Sequence, residues 1–598
     1  MRTRPLFAAA VRSAAAVLGI TGGLGGLLPL VSTRVAAEVN PAQTFPALGA
    51  PDDPKVRVSW DHFNDVAGLT QILRDLNAAY PDLSEFIVLG RSVEGREITG
   101  LRVTNERQGN PDTKPAMYID GNIHGNEVQA GETVAYTAWY LLENYGKVDR
   151  VTRLLDEKEF FLVPTINPDG RDHWFHDPAN PHNFRGGMIP IDEDGDGLFD
   201  EDGPDDMDGD GQITRMRIAD PWGRWKPDPD YPDFLMVEVD RDERGTYTLL
   251  GQEGFDNDGD GEINEDDPGG YDPNRNWPWL WQPEGIQYGA HDYPFSLPET
   301  KAVGDFVLAH PNIAAAQTYH HNGGMILRSP GSESARMERA DDDLFAFIGE
   351  RGESMLPGYH SYVLWKDLYQ VWGGELDWSS RCARCRTASP TSCGPEENLY
   401  RKDLGEGEKD ASAARRSCAI CSRTRAVLNE IDHPDYEKVE GGGTAKVSSG
   451  RVPPSFLLEE ELHRNMAFTL TAEAMPLILD HRGGGGERGR QRTLAHPGRD
   501  RQPGIIPTRL HQDVRHEEPT GQEPVQVEGV RVLAAGRFLI RTGPRCAGST
   551  AGPSGSWSKP WVDSSRTWVE FLVAGSGNAR IRVDALRGGT AERTVSVP

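Results

Sequence analysis

The chain has 598 residues and a formal net charge of −29. It is too long for one ordinary domain, so two or three folded units are expected. An acidic surface excludes nucleic-acid binding, which needs basic side chains to displace counterions from phosphates.

Arg2, Arg4 and Arg12 precede a Gly-broken apolar stretch from Ala14 to Val31 and the small residues Val35-Ala36-Ala37. The pattern is that of a signal peptide over residues 1–37, cleaved after Ala37. The stretch is too weakly apolar for stable membrane insertion, so a secreted protein, extracellular or periplasmic, is expected.

From Trp60 to Tyr80 the apolar spacing predicts a helix, and 86–89 and 98–103 predict strands around a turn. A buried strand at 117–120, a long helix over 128–145 and a strand at 160–164 follow. A helix at 298–310, strands at 313–318 and 325–327, and a helix at 456–477 complete the unit. This alternation predicts an α/β fold, a mixed central sheet flanked by helices, over residues 55–480. Beyond it, strand-like alternation at 568–573 and 579–583 predicts a small all-β C-terminal domain, β-sandwich-like, within 481–598.

Residues 186–270 interrupt the pattern as an acidic insertion with little periodicity. It holds three Asp-x-Asp-x-Asp-Gly stretches: Asp192, Asp194 and Asp196; Asp206, Asp208 and Asp210; and Asp256, Asp258 and Asp260. Alternate carboxylates on a tight loop can converge their oxygens on a hard cation, so Ca2+ is expected there. They are not complete EF-hand loops, because Gly203 and Arg217 stand where the first two need a glutamate. The alternative is a solvated acidic loop without an ion.

In "GNIHGNE", His124 and Glu127 lie just past the strand at 117–120, where α/β sheets place their chemistry. Hydrolytic zinc takes three His or carboxylate ligands and leaves a position for water. A third can come from His320 or His321, in "TYHHNGGMILRSP" at the end of a second strand. Alone, the His-x-x-Glu pair is equally an acidic residue in a helix's first turn.

With these stretches stand "NPDG" at 167–170, "NRNW" at 274–277 and "YQVWGGELDW" at 369–378. Together they resemble the zinc metallocarboxypeptidases of the carboxypeptidase A type, over roughly residues 55–480 apart from the insertion. The resemblance implies that His124, Glu127 and His320 bind one Zn2+, with His321 the fallback. It implies that Asn274 and Arg275 hold the free C-terminal carboxylate of a peptide or protein substrate. A guanidinium suits that planar, bidentate pairing. Tyr369 matches the family's mobile tyrosine, and Arg185 the arginine that steadies the oxyanion. Leu376 falls at the side-chain pocket, implying an apolar C-terminal residue, although Glu375 beside it leaves room for a basic one.

The family's catalytic glutamate follows Asp-Trp by about a dozen residues inside an apolar strand, which here lands near Thr391 in "RTASPTSCG". Neither a glutamate nor a strand is expected from those residues. A frame change would account for this, since codons compatible with Ser389–Cys393, read one base earlier, contain Pro-Asn-Glu-Leu. That reading sets the lost glutamate across positions 391 and 392. Taken literally, Glu396 and Glu397 are the nearest substitutes. Five of the six cysteines lie between 382 and 421, and Cys382-x-x-Cys385 with Cys418-x-x-Cys421 also fits a zinc ribbon or, after export, disulfides.

The expectation is a secreted metallocarboxypeptidase. The alternatives are a cell-wall peptide amidase on the same scaffold and a calcium-binding surface or adhesion protein whose peptidase domain is inactive.

Overall fold

A computed structural model describes residues 46–192, 197–229, 232, 236–266, 268–337, 339–381, 391–395, 425–444, 446, 453 and 455–470, and six strands between 508 and 597. The expected signal peptide, Asp194, Asp196, Glu396, Glu397 and the Cys-x-x-Cys pairs lie outside the described residues. Among the described residues, no helix is long and apolar enough to cross a membrane.

The helix α1 (Val66–Ala79) leads into β1 (Ser84–Arg91), β2 (Glu97–Val103) and β3 (Ala116–Gly121), then α2 (Val128–Asn144) and α3 (Asp149–Glu157). Next come β4 (Glu159–Val163) and α4 (Pro168–His176), and within the insertion β5 (Arg215–Ala219), β6 (Trp225–Pro227), β7 (Met236–Glu238) and β8 (Tyr247–Gln252). The chain resumes with α5 (Pro298–Ala309), β9 (Ile313–Gly323), β10 (Met325–Arg328), α6 (Arg339–Met355), β11 (His360–Val363) and α7 (Glu375–Arg381). It continues through β12 (Thr391–Pro395), β13 (Arg425–Ile431), β14 (Val439–Thr444) and α8 (Ser455–Phe468).

Eight strands form a mixed sheet in the order β1-β2-β4-β3-β9-β12-β10-β11. At its centre β3 pairs in parallel with both β4 and β9. Strand alternation explains why 116–121 reads as an unbroken apolar run: both faces are covered. Met117 and Ile119 enter the cluster that α1, α2 and α8 build with Leu73, Leu141 and Leu462. Ala116 and Tyr118 enter the opposite one, with Val303 and Val307 of α5 and with Trp277 and Trp378.

Two expectations need correction. A strand does lie where none was expected: β12 pairs in parallel with β9 and antiparallel with β10. Its sequence lacks strand periodicity because the two neighbouring backbones, rather than a side-chain pattern, supply its ladder. The insertion is also more ordered than its composition suggests. Its four short strands join β13 and β14 in a second sheet, ordered β13-β14-β5-β8-β6-β7. Strands of three to six residues are too short to show a period, and β14, the partner of β5, lies more than two hundred residues further on.

Toward the C-terminus, β15 (Thr508–Leu510), β17 (Arg531–Leu539) and β18 (Thr567–Ala574) form one antiparallel three-stranded sheet. The second consists of β16 (Val525–Glu528), β19 (Gly577–Ala585) and β20 (Gly589–Val597).

Candidate metal centre

The loop after β3 presents His124 by being tied down along its length. Asn122, in a left-handed conformation, donates from Nδ2 to the carbonyls of His124 at 2.6 Å and Gly125 at 2.9 Å. Arg171 donates to Asn122 Oδ1 at 2.9 Å and pairs with Glu132 at 2.9 Å, both side chains of that pair fully buried. Gly125 fits because a Cβ there would lie 2.4 Å from Gly170 C and 2.5 Å from Phe184 O, with no room to yield. Glu127 stands just before α2, its side chain left free of helix capping, and His320 arrives from the far end of β9.

The three side chains meet. Glu127 Oε1 lies 2.9 Å from His124 Nδ1, and Glu127 Oε2 lies 2.8 Å from His320 Nδ1. The two Nδ1 atoms are 3.2 Å apart. All three residues are buried. Two imidazole nitrogens facing one another across a carboxylate invite a shared cation, and this donor set is the one hydrolytic zinc prefers. Alternation along β9 directs His320 to this face, while its neighbour His321 offers Glu127 only a backbone N–H, at 3.0 Å.

Charge is balanced inside this cluster. Burial alone would raise Glu127, yet His124, His320 and Arg185 hold it well below the usual glutamate range. Burial lowers His320, with Glu127 partly opposing. Both effects keep ligands in the metal-binding form. Arg185 Nη1 donates to Glu127 Oε1 at 2.6 Å, and its side chain remains 40% exposed. Burial works against its charge, but Glu127 and Asp272 raise its pKa.

Asp272 was missing from the sequence reading. Its Oδ1 lies 3.0 Å from His124 Nε2, the ring nitrogen that does not face Glu127 and that also lies 3.1 Å from Arg185 Nη2. Burial opposes its charge, yet Arg275, His124 and Arg185 keep Asp272 well below the usual aspartate range. Its place two residues before Asn274 was the available signal.

Asn274 and Arg275 sit on the short turn after Asp272. Asn274 Nδ2 is 3.4 Å from His320 Nε2, and its Oδ1 accepts from Glu375 N at 2.9 Å. Arg275 donates to the Asn274 carbonyl at 2.8 Å and faces Asp272 at 3.5 Å. Tyr369 is half exposed and acts electrostatically on Arg185. Leu376, by contrast, is 4% exposed and packs in the cluster with Trp277 and Trp378. Glu375 turns inward to Asp120, where burial raises both acids and the Asp120 charge raises Glu375 further. "NPDG" proves to be scaffolding: Asn167 caps α4, and Asp169 accepts from Ser92, Glu94 N and Arg96.

In β12, Ser392 stands beside His320 in register and Thr391 beside Tyr319. No residue of Thr391–Pro395 is a carboxylate. The strand is therefore present where the family's base is expected, and the base is not on it.

Of the calcium candidates, Asp206, Asp208 and Asp210 converge, as do Asp256, Asp258 and Asp260. A third group, Asp202, Asp258 and Glu265, brings in two residues the repeat pattern did not mark. Asp192 accepts from Gly197 N at 3.1 Å.

Residues 69–184 and 246–406 match the family described as zinc carboxypeptidase. The inactive metallocarboxypeptidase ECM14 of Ajellomyces capsulatus is 31% identical over 126 residues, 21% of this chain and 21% of that protein. Carboxypeptidase D of Drosophila melanogaster is 36% identical over 110 residues, 18% of this chain and 8% of that protein. The match thus spans about a fifth or less of these curated relatives. Among solved structures, thrombin activatable fibrinolysis inhibitor aligns with a TM-score of 0.39 at 18% identity, covering 57% of this chain and 72% of that one.

Proposed function

We propose, from the premise that this chain belongs to the zinc carboxypeptidase family, that it is an exported zinc-dependent carboxypeptidase removing C-terminal residues from peptides. The reading is carried by the convergence of His124, Glu127 and His320 beside the Asn274-Arg275 turn. Those three residues would hold zinc, which supplies a Lewis acid to polarise an acyl carbonyl and acidify water.

The chain's own side chains define the substrate. Arg275, backed by Asn274, binds a terminal carboxylate, so free chain ends are accepted over internal peptide bonds. Arg185, partly exposed and beside Glu127, is positioned to steady a carbonyl oxygen as charge develops on it. Tyr369, half exposed and acting electrostatically on Arg185, would take the role of the family's mobile tyrosine and bond the bound peptide.

Hydrolysis also needs a carboxylate to take a proton from water. The absence of one from Thr391–Pro395 favours a second reading, in which the domain captures free C-termini without cleaving them.

Incubating the zinc-loaded full chain with matched free-acid and C-terminally amidated peptides separates these readings. Release of the last residue from the free acid alone supports the peptidase. Tight binding of the free acid without release supports capture, and equal affinity for both peptides rejects each. Export is part of the proposal, and N-terminal sequencing of the mature protein should begin at Glu38.

A further inference from the structure

The two well-formed Asp-x-Asp-x-Asp loops largely satisfy themselves. Asp206 accepts from Asp210 N at 3.0 Å and Gly211 N at 2.8 Å, and Asp256 accepts from Gly259 N and from Gly261 N at 3.0 Å, both loops being solvent-facing. Such turns need no ion to close them.

The group beside them differs. Asp202 is 0% exposed, and its Oδ1 is buried without a hydrogen-bond partner. Its Oδ2 has one long contact, from Asn264 N at 3.3 Å. Glu265 Oε2 is likewise buried and without a partner. Asp202, Asp258 and Glu265 each direct a carboxylate oxygen into one volume, with the three oxygens within 4.8 Å of one another. The charged neighbours acting on Asp202 and Glu265 are themselves acids: Asp258, Asp260 and each other. A buried carboxylate oxygen with no donor, among charged neighbours that are all acids, is costly to leave ionised, and a bound cation removes that cost.

We propose that Asp202, Asp258 and Glu265 form a binding site for one divalent calcium ion that clasps residues 257–266 to the loop at Asp202. The donors are all carboxylate oxygens, which suits a hard cation and not zinc. The donors come from separate turns, an irregular geometry that calcium tolerates better than magnesium.

The location gives the ion a role. Asp266 N donates to the Asp202 carbonyl at 3.2 Å, and Gly269 N reaches Asp200 Oδ1 at 3.4 Å. Three residues later the same segment delivers Asp272, the partner of His124. Calcium here anchors the strap that carries the second carboxylate of the metal centre. The site stands independently of whether the domain cleaves peptides.

The test uses the full chain, stripped of calcium with EGTA and titrated with calcium chloride by calorimetry, with zinc content measured separately. The Asp202→Asn and Glu265→Gln variants should each bind one calcium fewer per chain than wild type, with zinc unchanged, and lose the calcium-induced rise in melting temperature. The partly exposed Glu265 keeps the test usable if the Asp202 variant fails to fold. Wild type that binds no calcium would overturn the proposal, as would a folded Glu265→Gln variant with wild-type stoichiometry and affinity. Magnesium chloride giving the same heat and melting shift would overturn the choice of ion.

Discussion

Asp272 and His124, 148 residues apart in the chain, meet at 3.0 Å between Oδ1 and Nε2. A carboxylate on Nε2 orients the ring and favours the tautomer that turns a free Nδ1 toward Glu127 and His320. Replacing Asp272 with Asn should weaken zinc binding about 10- to 100-fold. Competition against a chromogenic chelator reads this directly, and an unchanged zinc affinity would remove Asp272 from the metal centre.

Arg275 is the proposed reader of a terminal carboxylate. Arg275→Ala should weaken capture of a free-acid peptide by about 30-fold or more, the loss of one member of a desolvated charge pair. The amidated peptide should bind the variant and wild type alike. An equal loss for both peptides would mean that Arg275 supports the loop and does not read the chain end.

Ser392 occupies the register position next to His320 on a strand with no acid. Installing one tests whether the missing base is what limits turnover. Ser392→Glu should raise kcat by about 100-fold or more if general-base catalysis is the absent step. No gain, with zinc and peptide still bound, would show that β12 is not the base-bearing strand.

Glu299, in the first turn of α5, is 1% exposed; its Oε1 accepts from Val93 N at 2.9 Å, and its Oε2 has no partner. Burial is the main cause of a pKa raised from 4.5 to about 7. The folded state therefore holds this proton where the unfolded state has released it. Its contribution is complete below about pH 4.5 and is lost as pH rises through about 7. Glu299→Gln should remove that dependence, shrinking the stability difference between about pH 5 and about pH 8 by roughly 1–3 kcal/mol. Melting curves at the two values decide it: an unchanged difference would mean Glu299 ionises normally.

Some features were legible because they are local. Buried parallel strands write themselves as apolar runs, so β3 and β4 could be located within a residue or two, and His124 and Glu127 recognised as lying past a strand end. The residues alone left His320 and His321 both open, and the folded strand separates them, since adjacent strand residues face opposite ways. By contrast, β12 left no trace in "RTASPTSCG", because an interior strand can be held by its neighbours' backbones whatever its side chains.

The amino-acid order alone determined which donor types exist and that two of them share one short loop, because a His-x-x-Glu spacing and a strand-end position are properties of a few consecutive residues. Only the folded chain decided that Asp272 closes on His124, that Glu375 turns inward to Asp120, and that Asp202 joins Glu265 in one acidic group. Those pairings span from about sixty to more than two hundred residues, and no periodicity encodes them. They arise when sheet order and core packing bring distant loops to one end of the molecule.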